Sequence, residues 1–355
     1  MRKEIPNRRT VLQLLGGASI SAMTPFPAIA SEQELVIVAS GGSFGKALRE
    51  YFYDPFTAET GIKVREVSAS TAQTWTQLKA MKQTGRQEWD IVTAYPEDLV
   101  AQAEFLEPFD CKKLPNFAEQ AVEGACEPNG LLRTAGALTL TFDTSKYPKA
   151  APASWADFWD LKRFPGPRAL PNTGAPWWVL MAALQADGVA RDKLFPLDLD
   201  RAFRKLDQIR SAVTVWWKSG DQSQQMFRSG EVSMGMIWSG RAFALIDQKA
   251  PIGLVWNGAP SNIADWAIVK GTPNKEAALK FLNFYLGRPK AHLPFSDAVS
   301  YDTSNRGVVS LLTPPQRQRR ITAPENWSKI AFVDAAWVAA NRDALLERWT
   351  RWLAS

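Results

Sequence analysis

The chain has little histidine and little cysteine, and both shortages exclude kinds of chemistry. His292 is the single histidine among 355 residues, and Cys111 and Cys126 are the two cysteines. Zinc sites and most other transition-metal sites need several such ligands at short spacings, so we expect no metal and no cofactor. A serine hydrolase built on this chain would have only His292 as its general base.

Long apolar runs and long basic runs are also missing after residue 30. A membrane-spanning helix needs about 20 consecutive apolar residues, so we predict no membrane insertion of the mature chain. The formal net charge is +6, but Lys and Arg are scattered, and the densest cluster is Arg317, Arg319 and Arg320. Nucleic-acid surfaces concentrate their positive charge, so we predict no nucleic-acid partner.

Residues 1–30 have the pattern of a cleavable export signal. Basic residues precede a short apolar stretch at residues 11–23, and the segment closes on Ala28-Ile29-Ala30, a small-x-small cleavage site. The Arg8-Arg9 pair resembles a twin-arginine signal. Neighbouring residues depart from that pattern, so the general export route stays open. We therefore expect a mature protein of residues 31–355 in the bacterial periplasm.

The two cysteines are expected to pair in that oxidising compartment. Cys111 and Cys126 would close a short loop, for which the chain-entropy model gives a stabilisation of about 3 kcal/mol. Two separate free thiols are the alternative.

Apolar runs and helical patterns alternate at the start of the mature chain. Leu35–Val38 reads as a buried strand, a glycine-rich turn and a helix follow, and further strands are predicted at residues 62–67 and 89–93. Pro55 is expected to limit the first helix. This order implies a parallel sheet with right-handed crossovers, in which ligands bind beyond the carboxyl ends of the strands.

Two strand crossings divide the chain into two lobes. Leu138–Phe142 leads into a second set of helices and strands, and Trp266–Val269 reads as the return. We therefore predict an α/β fold with two lobes, each a mostly parallel sheet flanked by helices, and a ligand cleft at the hinge. Lobe one is assigned to residues 31–137 and 262–310, and lobe two to residues 138–261 and 311–355.

The turn after the first strand matches a nucleophile motif. Residues 41–45 read Gly-Gly-Ser-Phe-Gly, a G-x-S-x-G pattern between a strand and a helix, so a secreted serine hydrolase using Ser43 is one alternative function. No earlier strand of the mature chain supplies a second oxyanion donor, and no acid has an obvious place beside His292. The other interpretation is that the glycines let backbone N–H groups face a ligand.

Tryptophan is abundant, with 15 residues, and several stand at the ends of predicted elements. Aromatic faces bind flat or cationic ligands by burial and by cation–π attraction, so we predict an aromatic cleft. In each adjacent pair we expect one member to lie in the core. The candidates for the cleft are Trp177 or Trp178, Trp216, Trp238 and Trp266.

Three charged residues stand beside those tryptophans. We expect Asp221 or Asp265 to hold a cationic group of the ligand, and Arg241 together with the Ser43 turn to hold an anionic group. Asp221 is also placed to cap the helix that follows it, and a surface ion pair is the alternative role for Arg241.

Several segments together resemble the periplasmic binding proteins of ABC transporters, of the spermidine/putrescine type. The resemblance implies two α/β lobes, a ligand in the cleft and delivery to an inner-membrane permease driven by a separate ATPase. It also implies that Ser43, Phe44 and Tyr95 lie in ligand-side loops of lobe one, and that Trp238 is the aromatic residue of lobe two. The matching segments are Glu34–Val38, Pro55–Val64, Ser154–Gly166, Gly230–Trp238, Ala267–Leu286, Tyr301–Asn305 and Trp349–Leu353.

The acidic residues of polyamine binders are not matched. Those proteins carry acids at the start of the helix that here reads Gly174–Trp178, and a Trp-x-Asp where this chain has Asn262-Ile263-Ala264. A di- or trication without paired carboxylates would be poorly compensated on desolvation. We therefore predict a monomeric, non-enzymatic periplasmic receptor for a small amine-containing or zwitterionic solute, such as an amino acid or a γ-amino acid. A polyamine-specific receptor is the second alternative.

Overall fold

The computed structural model describes residues 33–39, 41–69 and 71–355, apart from the side chains of Ser43 and Ala72. The predicted export signal at residues 1–30 lies outside the described residues. Within them, the strands are β1 Glu34–Ala39, β2 Lys63–Ser68, β3 Ile91–Ala94, β4 Cys126–Glu127, β5 Gly130–Asp143, β6 Arg168–Pro171, β7 Val213–Trp217, β8 Met234–Trp238, β9 Ile252–Val255, β10 Ser261–Ile268 and β11 Asp302–Thr303.

Helices cover the sheet and connect its strands. They are α1 Gly42–Leu48, α2 Asp54–Thr60, α3 Thr71–Thr84, α4 Pro96–Ala101, α5 Phe117–Gln120, α6 Trp155–Trp159, α7 Trp177–Ala186, α8 Leu199–Asp207, α9 Gly220–Arg228, α10 Ser239–Asp247, α11 Lys275–Leu286, α12 Pro289–Val299, α13 Pro314–Gln318, α14 Pro324–Trp327 and α15 Ala335–Ala354. Short 3₁₀ helices lie at Ala103–Phe105, Cys111–Lys113, Thr144–Lys146, Arg191–Lys193, Arg210–Ala212 and Arg306–Leu311.

The strands form a mixed sheet in the order β2-β1-β3-β10-β5-β8-β6-β7. The outer strands are parallel, as predicted: β1 pairs with β2 and β3, and β6 pairs with β7 and β8. The central strands are antiparallel, which the prediction of mostly parallel sheets did not include. Strand β5 pairs with β10 along its first half and with β8 and β9 along its second half, so it runs through both lobes.

Four hydrophobic clusters of described residues pack on this sheet, and the largest cluster on each half forms the core of one lobe, giving the two-lobed architecture. The first core contains Phe52, Trp266 and Phe281, and the second packs α7 and α15 against β5 and β8. Residues after the predicted division at residue 310 pack in both cores. Ile321 and Ile330 belong to the first core, whereas Ala331 and the buried face of α15 belong to the second.

The first helix does not end at Pro55. Helix α1 continues through a π-helical turn at Arg49–Tyr53 into α2, which ends at Gly61 with φ 72°. Pro55 lies in the first turn of α2, where a missing N–H and a fixed φ cost little. The wider turn before it changes the hydrogen-bond spacing of the helix and lets the chain stay helical.

Candidate ligand-binding site

A cavity of about 270 Å³ lies between the two lobes, at the carboxyl ends of β1 and β3. Phe44 follows β1 and Tyr95 follows β3, as expected for ligand sites in open α/β sheets. The crossing strands β5 and β10 contribute polar and small side chains, and α10 and the loop after α12 complete the wall. The residues from these elements include Arg133, Thr134, Asn262, Ala264, Trp238, Arg241 and Tyr301.

Arg133 is the most buried charged residue of the wall, with 4% of its surface exposed. Its guanidinium lies 4.6 Å from the ring centroid of Phe44 and 5.1 Å from that of Trp266. Its Nη1 donates a hydrogen bond of 2.7 Å to Oγ1 of Thr93, whereas its Nε has no partner among the described residues. Burial lowers the pKa of Arg133, yet an arginine stays protonated in proteins.

Trp266 and Asp265 lie behind the cavity and do not line it, contrary to the prediction for both. The ring of Trp266 is fully buried in the first core, against Phe281 and Tyr285, and supports the guanidinium of Arg133. Asp265 is fully buried too, and neither of its carboxyl oxygens has a hydrogen-bond partner among the described residues. Burial raises the pKa of Asp265 well above its ordinary value, which disfavours its charged form.

Trp238 lines the cavity at the end of β8, as predicted. Its ring packs edge-on against Trp217 at a centroid distance of 4.9 Å, and its Nε1 is buried without a partner in the described part of the chain. Trp216, predicted to face the cleft, points the other way and packs on Trp349 and Trp352 of α15. Alternation along β7 places these neighbours on opposite faces, and sequence alone does not say which face is which.

Trp177 and Trp178 lie where the lobes meet, beside the cavity but outside its wall. Both are almost fully buried at the start of α7. Trp178 packs edge-on against Tyr95 at 6.3 Å, and the guanidinium of Arg342 lies 5.9 Å from the Trp177 ring. Neither tryptophan therefore lines the cavity, and Trp178 instead packs against the wall residue Tyr95.

Arg241 lines the cavity, and Asp221 pairs with it from outside. The Nη1 of Arg241 lies 3.0 Å from Oδ1 of Asp221, whose side chain is 90% exposed. The predicted cap at Asp221 is wrong, because the oxygen of Ser219 accepts the hydrogen bond from the N–H of Gln222 at 3.2 Å. Asp221 occupies the first helical turn, where a negative charge is still favourable.

Tyr95 and Tyr301 give the wall two phenol groups. Burial raises the pKa of each to about 12, so both hydroxyls are neutral at physiological pH. Tyr301 packs against two glycines: an added Cβ at Gly136 would lie 2.6 Å from its ring, and one at Gly240 would lie 2.9 Å from it. Those glycines let one aromatic ring fit between β5 and α10.

The model for bacterial extracellular solute-binding proteins matches residues 52–319. This chain belongs to that family. The GABA-binding protein of Pseudomonas aeruginosa is 31% identical to this solute-binding protein, and the match covers 92% of each chain. The spermidine/putrescine-binding periplasmic protein of Escherichia coli is 27% identical, over 77% of this chain and 79% of the relative. The family and these relatives are transport proteins and not enzymes.

Solved structures agree with this assignment. The periplasmic binding protein AttC of Agrobacterium tumefaciens is 39% identical with a TM-score of 0.74, over 91% of this chain and 100% of that one. An ABC transporter substrate-binding protein from Bradyrhizobium japonicum is 34% identical with a TM-score of 0.83, over 90% and 99%. A GABA receptor is 31% identical with a TM-score of 0.80, over 90% and 97%. Two-lobed periplasmic binding proteins therefore share the fold, and a permease is the expected partner.

The histidine that the hydrolase alternative requires is not available as a general base in this solute-binding protein. His292 is fully buried in the first core, where its Nε2 lies 2.6 Å from the carbonyl oxygen of Tyr285 and burial lowers its pKa to about 3. Ser43 lies in the first turn of α1, and its side chain is outside the described part of the structure. Gly41 and Gly42 have φ of 63° and 60°, the left-handed conformation that this turn needs.

Cys111 and Cys126 are joined by a disulfide, with their Cα atoms 5.7 Å apart. The bond attaches the 3₁₀ helix at Cys111–Lys113 to the short strand β4, which pairs with the start of β5. It therefore lies in lobe one and contributes no residue to the cavity wall. Within the described ranges, no helix of this solute-binding protein is both long and apolar enough to cross a bilayer.

Ten of the described wall residues were not among the predicted site residues, and they include Arg133, Thr134, Asn262 and Tyr301. A signal existed for two of them. Arg133 is a charged residue inside the long apolar run of β5, and Asn262 stands in the stretch compared with the Trp-x-Asp of polyamine binders. Tyr301 gives no such signal, because its place depends on the two glycines that leave room for its ring.

Proposed function

We propose that this solute-binding protein is the periplasmic receptor of an ABC importer for a small zwitterionic solute that carries a carboxylate. One observation carries the proposal: Arg133 and Arg241 line the cavity, and no aspartate or glutamate is among the described residues of its wall. The wall is therefore complementary to an anionic group. The GABA-binding relative and the GABA receptor support an amino-acid-like ligand.

The state of Arg133 strengthens this argument. A buried guanidinium has lost most of its water, and its Nε has no partner in the described residues. A ligand carboxylate would form a charge-assisted hydrogen bond with it and would offset that desolvation. Arg241 already forms an ion pair with Asp221, so Arg133 is the stronger candidate to bind the ligand's carboxylate.

The size and lining of the cavity favour a small ligand. Its volume of about 270 Å³ is near the lower end of ligand pockets, which span about 300–1,000 Å³. Phe44, Tyr95, Trp238 and Tyr301 supply apolar surface and ring faces around it. Such faces attract a single ammonium group by cation–π interaction, without an acidic partner.

A polyamine-specific receptor is disfavoured on charge. A polyamine carries two or more positive charges, and in this wall it would meet two guanidinium groups and no carboxylate. Like charges in a partly desolvated cleft repel, and each unpaired ammonium would lose its hydration.

A thermal-shift panel of the exported, purified protein tests this proposal. The panel contains GABA, α-amino acids, betaines, putrescine, spermidine and sugars. A ligand that binds only the folded state adds about 2.7 kcal/mol to its stability at a hundred times its Kd. We expect a clear upward shift of Tm with one class of zwitterion. A shift with polyamines alone would overturn the proposal.

A further inference from the structure

Asn262 brings a carbonyl-type acceptor to the wall of the cavity. It lies near the start of β10, and it lines the same cavity as Arg133 and Trp238. Its Oδ1 is buried and has no hydrogen-bond partner among the described residues. Buried acceptors in native proteins are normally paired, so an unpaired one in a ligand cavity indicates a ligand donor.

The neighbours of Asn262 explain why no protein group satisfies it. Directly across the antiparallel pair stands Gly136 of β5, and the next residue on the same face of β10 is Ala264. Neither position has a polar side chain. Thr134 stands opposite Ala264, and it forms no hydrogen bond with Oδ1, which therefore stays available to a group that enters the cavity.

No carboxylate among the described wall residues is placed to bind the ligand's ammonium group. Asp221 is exposed and paired with Arg241, and Asp265 is buried behind the wall. The ligand's ammonium group is left with neutral acceptors and ring faces. An amide oxygen is a better acceptor for N–H than a phenol hydroxyl or a ring face, because it carries two lone pairs on a strongly polar bond.

From these contacts, and resting on the proposed zwitterionic ligand, we infer that Asn262 accepts a hydrogen bond from the ligand's amino group. Asn262 is then the residue that selects solutes with N–H donors over fully N-methylated ones. The ring faces of Trp238 and Tyr95 take both kinds of cation, since cation–π attraction needs no N–H. The Oδ1 of Asn262 stabilises only a cation that has an N–H group, because a trimethylated nitrogen leaves this oxygen without a hydrogen bond.

Titration calorimetry with GABA and its N-trimethyl derivative tests this selection. We expect the wild type to bind GABA at least tenfold more tightly than the trimethyl derivative. Asn262→Leu keeps the side-chain volume and removes the acceptor. It is expected to weaken GABA at least tenfold and the derivative less than threefold, so the preference disappears. Asn257→Leu, at an exposed asparagine outside the wall, is the matched control and is expected to keep the wild-type preference.

Asn262→Asp is the second variant, and it keeps the test usable if Asn262→Leu fails to fold, because aspartate has nearly the same shape as asparagine. It adds a carboxylate where the ammonium group is expected, so GABA should bind more tightly and putrescine should gain measurable affinity. Wild-type binding of GABA with a preference that neither variant changes would overturn the role of Asn262 and leave the proposed function standing. A wild type that binds neither GABA nor any other carboxylate-bearing amine would overturn both.

Discussion

The proposed ligand specificity depends on a guanidinium group that lies against two aromatic rings. Arg133 lies between Phe44 and Trp266, with one hydrogen bond to Thr93 and none at Nε in the described residues. Such a cation is costly to bury, and packing does not require it, because an apolar side chain of similar volume fills the same space at least as well. Its place in the wall therefore points to ligand binding.

Glu97 provides a test of electrostatics at the residue scale. It is 5% exposed in α4, next to Asp98, and burial raises its pKa to about 7. The folded state then holds a proton that the unfolded chain has released, between pH of about 4.3 and 7. The contribution of Glu97 to stability is therefore complete below about pH 4.3 and is lost as the pH rises through 7.

Glu97→Gln removes that titration. We expect the variant to match the wild type near pH 4 and to exceed it by roughly 3 kcal/mol in unfolding free energy at pH 8. Urea denaturation at a series of pH values measures the difference in unfolding free energy between Glu97→Gln and the wild type. Glu123→Gln, at an exposed glutamate, is the control for the change of residue type. A constant difference between pH 4 and pH 8 would contradict the buried, protonated state.

Side-chain orientation was the main limit on predicting the site from sequence. Phe44, Tyr95, Trp238 and Arg241 were predicted and do line the cavity. Trp216, Trp266 and Asp265 stand next to turns and crossings in the sequence, but their side chains point into a core or onto α15. Proximity in sequence places a residue near a cleft. Burial and strand register decide whether it faces the cleft.

At the scale of elements, α4 links the cavity to the second lobe. Tyr95 caps its start, and Asp98 in its first turn accepts hydrogen bonds from the N–H of Tyr95 at 3.2 Å and from Nη1 of Arg342 at 2.6 Å. Arg342 belongs to α15, which packs in the second core. One carboxylate thus connects a residue of the cavity wall to the far lobe.

Arg342→Met keeps the apolar stem and removes the partner of Asp98. The Asp98 side chain is 1% exposed and that of Arg342 is 25% exposed, so an unpaired charge would be left in a largely dry place. We expect a loss of about 2 kcal/mol in unfolding free energy at pH 7, less than for a fully buried pair. Adding Asp98→Asn should recover most of it. If Arg342→Met alone were as stable as the wild type, the ion pair between Arg342 and Asp98 would contribute nothing to the unfolding free energy.

Elements with clear end signals were predicted well, and those set by tertiary packing were not. Helix α11 spans Lys275–Leu286 as predicted, because its apolar periodicity ends at Gly287. The helix around Pro55 continues through a π turn that no local signal marks. Strands β8, β9 and β10 lie more than 90 residues from their paired positions on β5, so a local sequence pattern does not predict these pairings.

On the scale of the whole molecule, two lobes with separate cores share strand β5 and enclose the cavity between them. Residues from both lobes and from the crossing strands line it, so a ligand bound there would contact both lobes at once. Family membership and fold make this molecule a solute-binding protein, and we propose that the charges of its cavity wall select the solute.

The most direct test of this account is calorimetric titration of the wild type and Arg133→Met with GABA and with putrescine. We expect the wild type to bind GABA and not putrescine. Arg133→Met should lose at least tenfold in GABA affinity, about 1.4 kcal/mol or more, while its unfolding free energy stays equal or rises. Undiminished GABA binding by Arg133→Met, or a wild type that prefers putrescine, would contradict a cavity built around a ligand carboxylate.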